Sequence, residues 1–128
     1  MILLLDTSTP MCKLTFIESD WHYNDQWQAD RQLAKGLLGY LQQQLQKNDR
    51  TFDDISGIGV FKGPGSFTGL RIGLTVLNTL ADANSVPIVG VSGEAWQSAA
   101  LDRLQRAEND KIVLPLYGSD ANITKPRK

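Results

Sequence analysis

KGPGSFTGLRIGL, from Lys62 to Leu74, places four glycines and a proline inside thirteen residues and then turns into a helical pattern. Gly63 and Gly65 flank Pro64, so the chain can bend sharply at this point. Ser66 is a good N-cap, and its position predicts a helix from Phe67 to about Ala83. The free N–H groups at such a start can hold an anion. The stretch is nevertheless neither of the common phosphate motifs. No Gly-Lys-Ser/Thr follows, and Gly63, Gly65 and Gly69 give G-x-G-x-x-x-G, one residue longer than the dinucleotide fingerprint.

The helix after the hinge carries an unusual cost. Gly69 and Gly73 lie inside it, and each weakens a helix by ~1 kcal/mol relative to alanine. On a helical wheel they lie beside Ile72, Val76 and Leu80, with Leu70, Leu74, Leu77 and Ala81 next to them. The combined apolar arc spans roughly 200°, where a one-sided surface helix needs about 100°. A sheet cannot cover that arc alone, so the helix is expected to touch another helix, with the glycines admitting it closely.

Outward from the hinge, the pattern alternates strands and helices. Ile2–Leu5 is a continuous apolar run that reads as a buried strand and stops at the turn-forming DTSTP. Cys12–Glu18 and Trp21–Trp27 read as two more strands, with Trp21, Tyr23 and Trp27 at even spacing on one face. Asp30 is the expected cap of a helix reaching about Lys47. Its stripe holds Leu33, Leu37, Leu41 and Leu45, widened by Ala34 and Leu38 and interrupted by Gln44. Ile55–Phe61 and Val86–Val91 read as short buried strands. Ser92 is the expected cap of a third helix, with Glu94 in its first turn and Asn109 and Asp110 ending it. Lys111–Tyr117 reads as a last strand, confined to an edge or cut short by Pro115. The order β-β-β-α-β-α-β-α-β implies an α/β fold, a mixed sheet of five to six strands with about three helices.

Composition narrows the function classes. The 128 residues suit one domain, and no apolar run approaches the ~20 residues of a membrane span. MILLL lacks a basic lead and meets Asp6 at once, so it reads as a strand rather than a signal peptide. A net charge of −1 gives no general attraction to nucleic acid, although the KPRK ending, Lys125–Lys128, is basic. The lone Cys12 excludes an internal disulfide and suits a reducing cytoplasm.

Catalytic equipment is sparse. His22 is the only histidine, too few for a metal site or a triad. It reads as structural or exposed, Cys12 as a buried thiol, and the Asp53–Asp54 pair as solvated. No H-E-x-x-H is present. Lys62 and Arg71 are the cations nearest the hinge.

ILLLDTSTPMCKLTF, ISGIGVFKGPGSFTGLRIGL and VPIVGVSGEAW, taken in this order, resemble the bacterial TsaB (YeaZ) family over about residues 1–100. That resemblance implies an actin/Hsp70-like (ribonuclease H-like) lobe. It implies a protein without catalytic activity of its own that pairs with a TsaD-like catalytic subunit and a TsaE-like ATPase. Together these make threonylcarbamoyladenosine at position 37 of tRNAs that read ANN codons, so tRNA is met indirectly. No metal and no cofactor are implied for the chain itself, with ATP a candidate only at a partner interface. Family members carry a second lobe after the third helix. Here LPLYGSDANITKPRK follows instead, and its P-x-Y resembles the family's closing tail, which implies an internal deletion. Residues 1–118 are then one lobe and 119–128 a basic tail. A His-Ser pair usual at the first helix is absent from ADRQLAKGLL.

Two sets of site residues follow. The expected partner surface comprises Leu33, Leu37, Leu41, Gly69, Ile72, Gly73, Val76 and Leu80. The alternative is a nucleotide-binding or ATP-hydrolysing lobe, with Asp6, Thr7, Ser8, Gly63, Gly65 and Ser66 as the candidate phosphate-binding residues. A self-associating homodimer through the same helix pair is the third reading.

Overall fold

A computed structural model describes residues 1–116. Its strands are β1 (Ile2–Asp6), β2 (Met11–Glu18), β3 (Trp21–Gln28), β4 (Gly57–Phe61) and β5 (Ile88–Val91), and its helices α1 (Leu33–Lys47), α2 (Phe67–Asn84) and α3 (Trp96–Gln105). The sheet runs β3-β2-β1-β4-β5. β3, β2 and β1 are antiparallel neighbours, while β1, β4 and β5 are parallel. The expected meander and the alternating half therefore form one mixed sheet.

Both faces of β1 are covered, which is why it reads as an unbroken apolar run. Leu3 and Leu5 point into the layer under α1 and α2, with Leu14, Phe16, Ile58 and Val60. Leu4 points the other way and meets Val89, Val91, Trp96 and Ala100. α3 can press onto β4 because Gly59 has no side chain. A β-carbon there would fall 2.6 Å from Leu4 and 2.8 Å from Ala100.

The aromatic strand β3 faces α1 through alternate residues, as its spacing predicts. The Tyr23 hydroxyl donates to Gln44 Oε1 at 2.6 Å, which explains a glutamine within the apolar stripe. The Trp27 ring stacks on Tyr40 at 4.9 Å. The Tyr40 hydroxyl donates to Asp25 Oδ2 at 2.5 Å.

Three expectations are corrected. Asp30 does not cap α1; it has φ of 48° within a 3₁₀ turn, Asp30–Gln32, and its carboxylate accepts from Gln28 Nε2 at 2.7 Å. Ser92 does not cap α3, which starts four residues later; its hydroxyl donates to the Gly63 carbonyl at 2.5 Å. Residues 111–116 form no strand. Val113 is held instead by Asn78, whose side chain both accepts from its N–H and donates to its carbonyl. Tyr117, the rest of the expected lobe to 118 and the basic tail 119–128, with Lys125–Lys128, lie outside the described residues. Among the described residues no helix is long and apolar enough to cross a membrane.

Candidate functional site

The hinge and the β1–β2 turn meet. Gly63 has φ of 119°, a conformation that L side chains rarely adopt, and its peptide to Pro64 is cis. Ser66 caps α2 as its position predicts, its Oγ accepting from Gly69 N–H at 3.3 Å. The Ser66 N–H donates to the Ser8 carbonyl at 2.8 Å, and Gly65 lies against Ser8.

Thr7 decides what the glycines of α2 do. It is 1% exposed, and its hydroxyl donates to the Gly69 carbonyl at 2.8 Å. A β-carbon on Gly69 would fall 2.3 Å from the Thr7 carbonyl oxygen, and one on Gly73 would fall 2.1 Å from the Thr7 hydroxyl. The close neighbour that the glycines admit is thus the turn after β1, not a helix, which corrects that expectation. Of the six candidate phosphate-binding residues, Ser8 meets Gly65 and Ser66, while Gly63 is bonded by Ser92, and the polar groups of the turn are engaged within the chain. Thr7 bonds Gly69, Ser66 caps its own helix, and Asp6 Oδ1 accepts from the Ser8 N–H at 2.8 Å.

Of the eight residues expected at the partner surface, Leu33, Leu37, Leu41, Gly73 and Leu80 are buried within the chain. They form the packing between the helices and the sheet rather than an open face. Gly69, Ile72 and Val76 remain half-exposed. What stays open is a strip one row further out, along the seam of α1 and α2. Leu38 and Phe67 are each 54% exposed, and Ala34 is exposed beside them. A hollow of about 340 Å³ is lined by Ala34, Thr68, Arg71, Ile72, Thr75 and Val76. The Arg71 guanidinium stands 5.3 Å from the centre of the Phe67 ring. A wider cleft of about 790 Å³ continues past Thr68 and Ile72 to Pro10, Asp30 and Arg31. The only sequence signal for Leu38 was the excess width of its stripe; Phe67, the first helical residue, gave none.

Chemistry at these positions is limited by burial. The Cys12 thiol is pushed up to about 12, first by burial and then by the nearby carboxylates of Asp6 and Asp25. It stays protonated and unreactive at neutral pH. His22 is exposed, as are Asp53 and Asp54. Among the described residues no group of three His, Cys, Asp or Glu could hold a metal ion.

Known proteins share this architecture. The family model described as TsaD, tRNA N6-adenosine threonylcarbamoyltransferase, matches residues 27–115. The chain is 29% identical to the tRNA threonylcarbamoyladenosine biosynthesis protein TsaB of Haemophilus influenzae, over 84% of this chain and 46% of that protein. It is 33% identical to TsaB of Escherichia coli over 71% of this chain and 39% of that one. The solved structure of YeaZ from Pseudomonas aeruginosa matches with a TM-score of 0.68 at 30% identity, covering 82% of this chain and 49% of that chain. The chain thus spans less than half the length of these relatives, and its fold is an actin-like, ribonuclease H-like lobe. With the turn, hinge and helix pair in place and this likeness over most of its length, the chain belongs to the TsaB (YeaZ) branch of the TsaD family.

Proposed function

We propose that this chain is a non-catalytic subunit of the machinery that makes threonylcarbamoyladenosine in tRNA, binding a TsaD-like catalytic subunit through the seam of α1 and α2. The observation that carries this is the hollow where α1 and α2 meet, lined by Ala34, Ile72 and Val76, with Leu38 exposed one turn beyond Ala34 and Phe67 exposed beside Arg71. Isolated apolar side chains on a surface need no explanation, but several gathered about a hollow suit an interaction site. Arg71 at its rim suits an acidic group on the partner.

On this reading a TsaE-like ATPase and the tRNA are met through the catalytic subunit. ATP, if used, binds at that junction. The work is done in the cytoplasm, in keeping with a free thiol at Cys12. The interface lies within the proposed lobe of residues 1–118.

Support comes from the family and from the surface together. The internal engagement of Thr7 and Ser66 leaves the nucleotide reading without a comparable observation. The test is the amount of threonylcarbamoyladenosine in tRNA digests after depletion of this protein. A marked fall, restored by the native chain but not by Leu38→Glu, is expected. Normal levels after depletion overturn the proposal.

A further inference from the structure

β5 closes one end of the sheet, and its four residues, IVGV, are all buried. In the parallel ladder with β4, the Ile58 N–H donates to the Pro87 carbonyl and the Lys62 N–H to the Val91 carbonyl, each at 2.9 Å. Alternate residues of a strand bond to opposite sides, so the N–H and C=O groups of Ile88 and Gly90 point outward.

All four outward groups are sealed. The Ile88 N–H donates to Asn109 Oδ1 at 3.0 Å, and the Ile88 carbonyl accepts from the Asp110 N–H at 2.8 Å. The Gly90 N–H donates to Asp110 Oδ2 at 2.8 Å, and its carbonyl accepts from the Arg103 guanidinium at 3.1 Å. The sealing groups are themselves braced. Arg103 donates to both oxygens of Asp110, at 2.5 and 3.1 Å, and to Glu108 Oε1 at 2.6 Å. Asn109 Oδ1 also accepts from the Lys111 N–H at 2.8 Å. Val113 lies against Gly90, where a β-carbon would fall 2.3 Å from it, and Asn78 holds Val113 by its N–H and its carbonyl. One jaw of this clasp comes from α3 and the other from residues 108–113.

The strand has no means of guarding itself. Many edges are blunted by a charged side chain or a proline on the strand. Here Ile88 belongs to the core with Ile58 and Val60, Val89 and Val91 to the core with Trp96 and Ala100, and Gly90 is covered by Val113. Every position is taken by packing, and none is left for a lysine. An apolar strand with free outward backbone groups is a template for another chain. A sixth strand would satisfy those groups but would offer its own edge to the next. Side chains that each answer one group and stop do not propagate the sheet.

We infer that Arg103, Asn109 and Asp110 form a latch that holds the β5 edge closed to strand addition, and that releasing it turns this edge into a pairing site for an extended segment of another copy. The latch uses no residue of the α1–α2 seam, so the inference stands apart from the proposed function.

Sedimentation velocity of the full chain tests it, with Asp110→Ala and Arg103→Ala as latch variants. Tyr23→Phe removes a hydrogen bond at the far end of the sheet and controls for lost stability. The native chain and Tyr23→Phe are expected to share one size distribution. Both latch variants, still folded by circular dichroism, should place at least tenfold more protein in larger species that grow with concentration. Hydrogen exchange gives a second reading. In the native chain the Ile88 and Gly90 amides should exchange at least tenfold more slowly than in an unstructured chain. In freshly diluted Asp110→Ala the Gly90 amide should lose that protection, while the Val89 amide, which faces β4, keeps its own. Latch variants of native size, equal growth in Tyr23→Phe, unfolding of both latch variants, or an unprotected Gly90 amide in the native chain would each overturn the inference.

Discussion

Thr7 and Gly73 lie so close that no side chain fits between them: a β-carbon on Gly73 would sit 2.1 Å from the Thr7 hydroxyl oxygen and 3.0 Å from Thr7 Cβ. The contact locks the β1–β2 turn to the middle of α2 and so fixes the angle at which the helix seam is presented. Gly73→Ala should destabilise the fold by about 1–3 kcal/mol, the usual cost of overpacking. Thr7→Ala should cost about 1 kcal/mol through the lost bond to Gly69. Together they should cost less than the sum, because removing the hydroxyl makes room for the new methyl. Urea denaturation of the four proteins measures this, and strict additivity would mean that the two residues do not press on each other.

Half-buried Tyr23 and buried Gln44 form a polar pair, with Gln44 only 4% exposed. Tyr23→Phe leaves the Gln44 amide without that partner and should cost about 1–3 kcal/mol. Gln44→Leu in the Tyr23→Phe background should recover most of this, since both polar groups are then gone. Thermal melts of single and double variants decide the matter, and a Tyr23→Phe protein as stable as the native one would contradict it.

The seal on β5 should depend on pH. Burial pushes the Asp110 carboxyl up, but the hydrogen bonds from Arg103 and from the Gly90 N–H, with Lys62 nearby, outweigh it and hold the group below its ordinary value. The Arg103 hydrogen bond likewise holds Glu108 down, against a smaller rise from desolvation. A carboxyl lowered in the folded state contributes stability above its unfolded pKa of about 4, and loses it as pH falls through the lower folded value. Native protein and Asp110→Asn should therefore differ in melting temperature at neutral pH and converge in acid, once the pH has fallen below the lowered folded-state value of the carboxyl. A difference that persists undiminished at that pH would contradict the assignment.

Much of this architecture was legible from local chemistry. Ser66 announced a cap, and a cap is satisfied within four residues of itself. The alternation of Trp21, Tyr23 and Trp27 announced a one-sided strand. Asp30 and Ser92 misled for a related reason: their side chains had other bonds available, to Gln28 and to Gly63, and the second depends on a contact 29 residues away. Gly69 and Gly73 showed that something comes close to α2, yet what comes close is Thr7, 62 residues before Gly69. Periodicity marks which positions lack bulk and is silent on what fills the space. The same limit hid the open strip. Leu33, Leu37 and Leu41 lead the apolar stripe and therefore go inside, while its widening residues, Ala34 and Leu38, stay outside.

The seam itself is the point at which the proposed function stands or falls. Leu38 is exposed and makes few demands on the fold, so Leu38→Glu should change stability by less than about 0.5 kcal/mol. Titration calorimetry of the native chain and of folded Leu38→Glu with the TsaD-like protein of the same cell measures the claim directly. The account predicts measurable binding by the native chain and at least a tenfold loss for Leu38→Glu; equal affinity for the two, or no binding by the native chain, would contradict it.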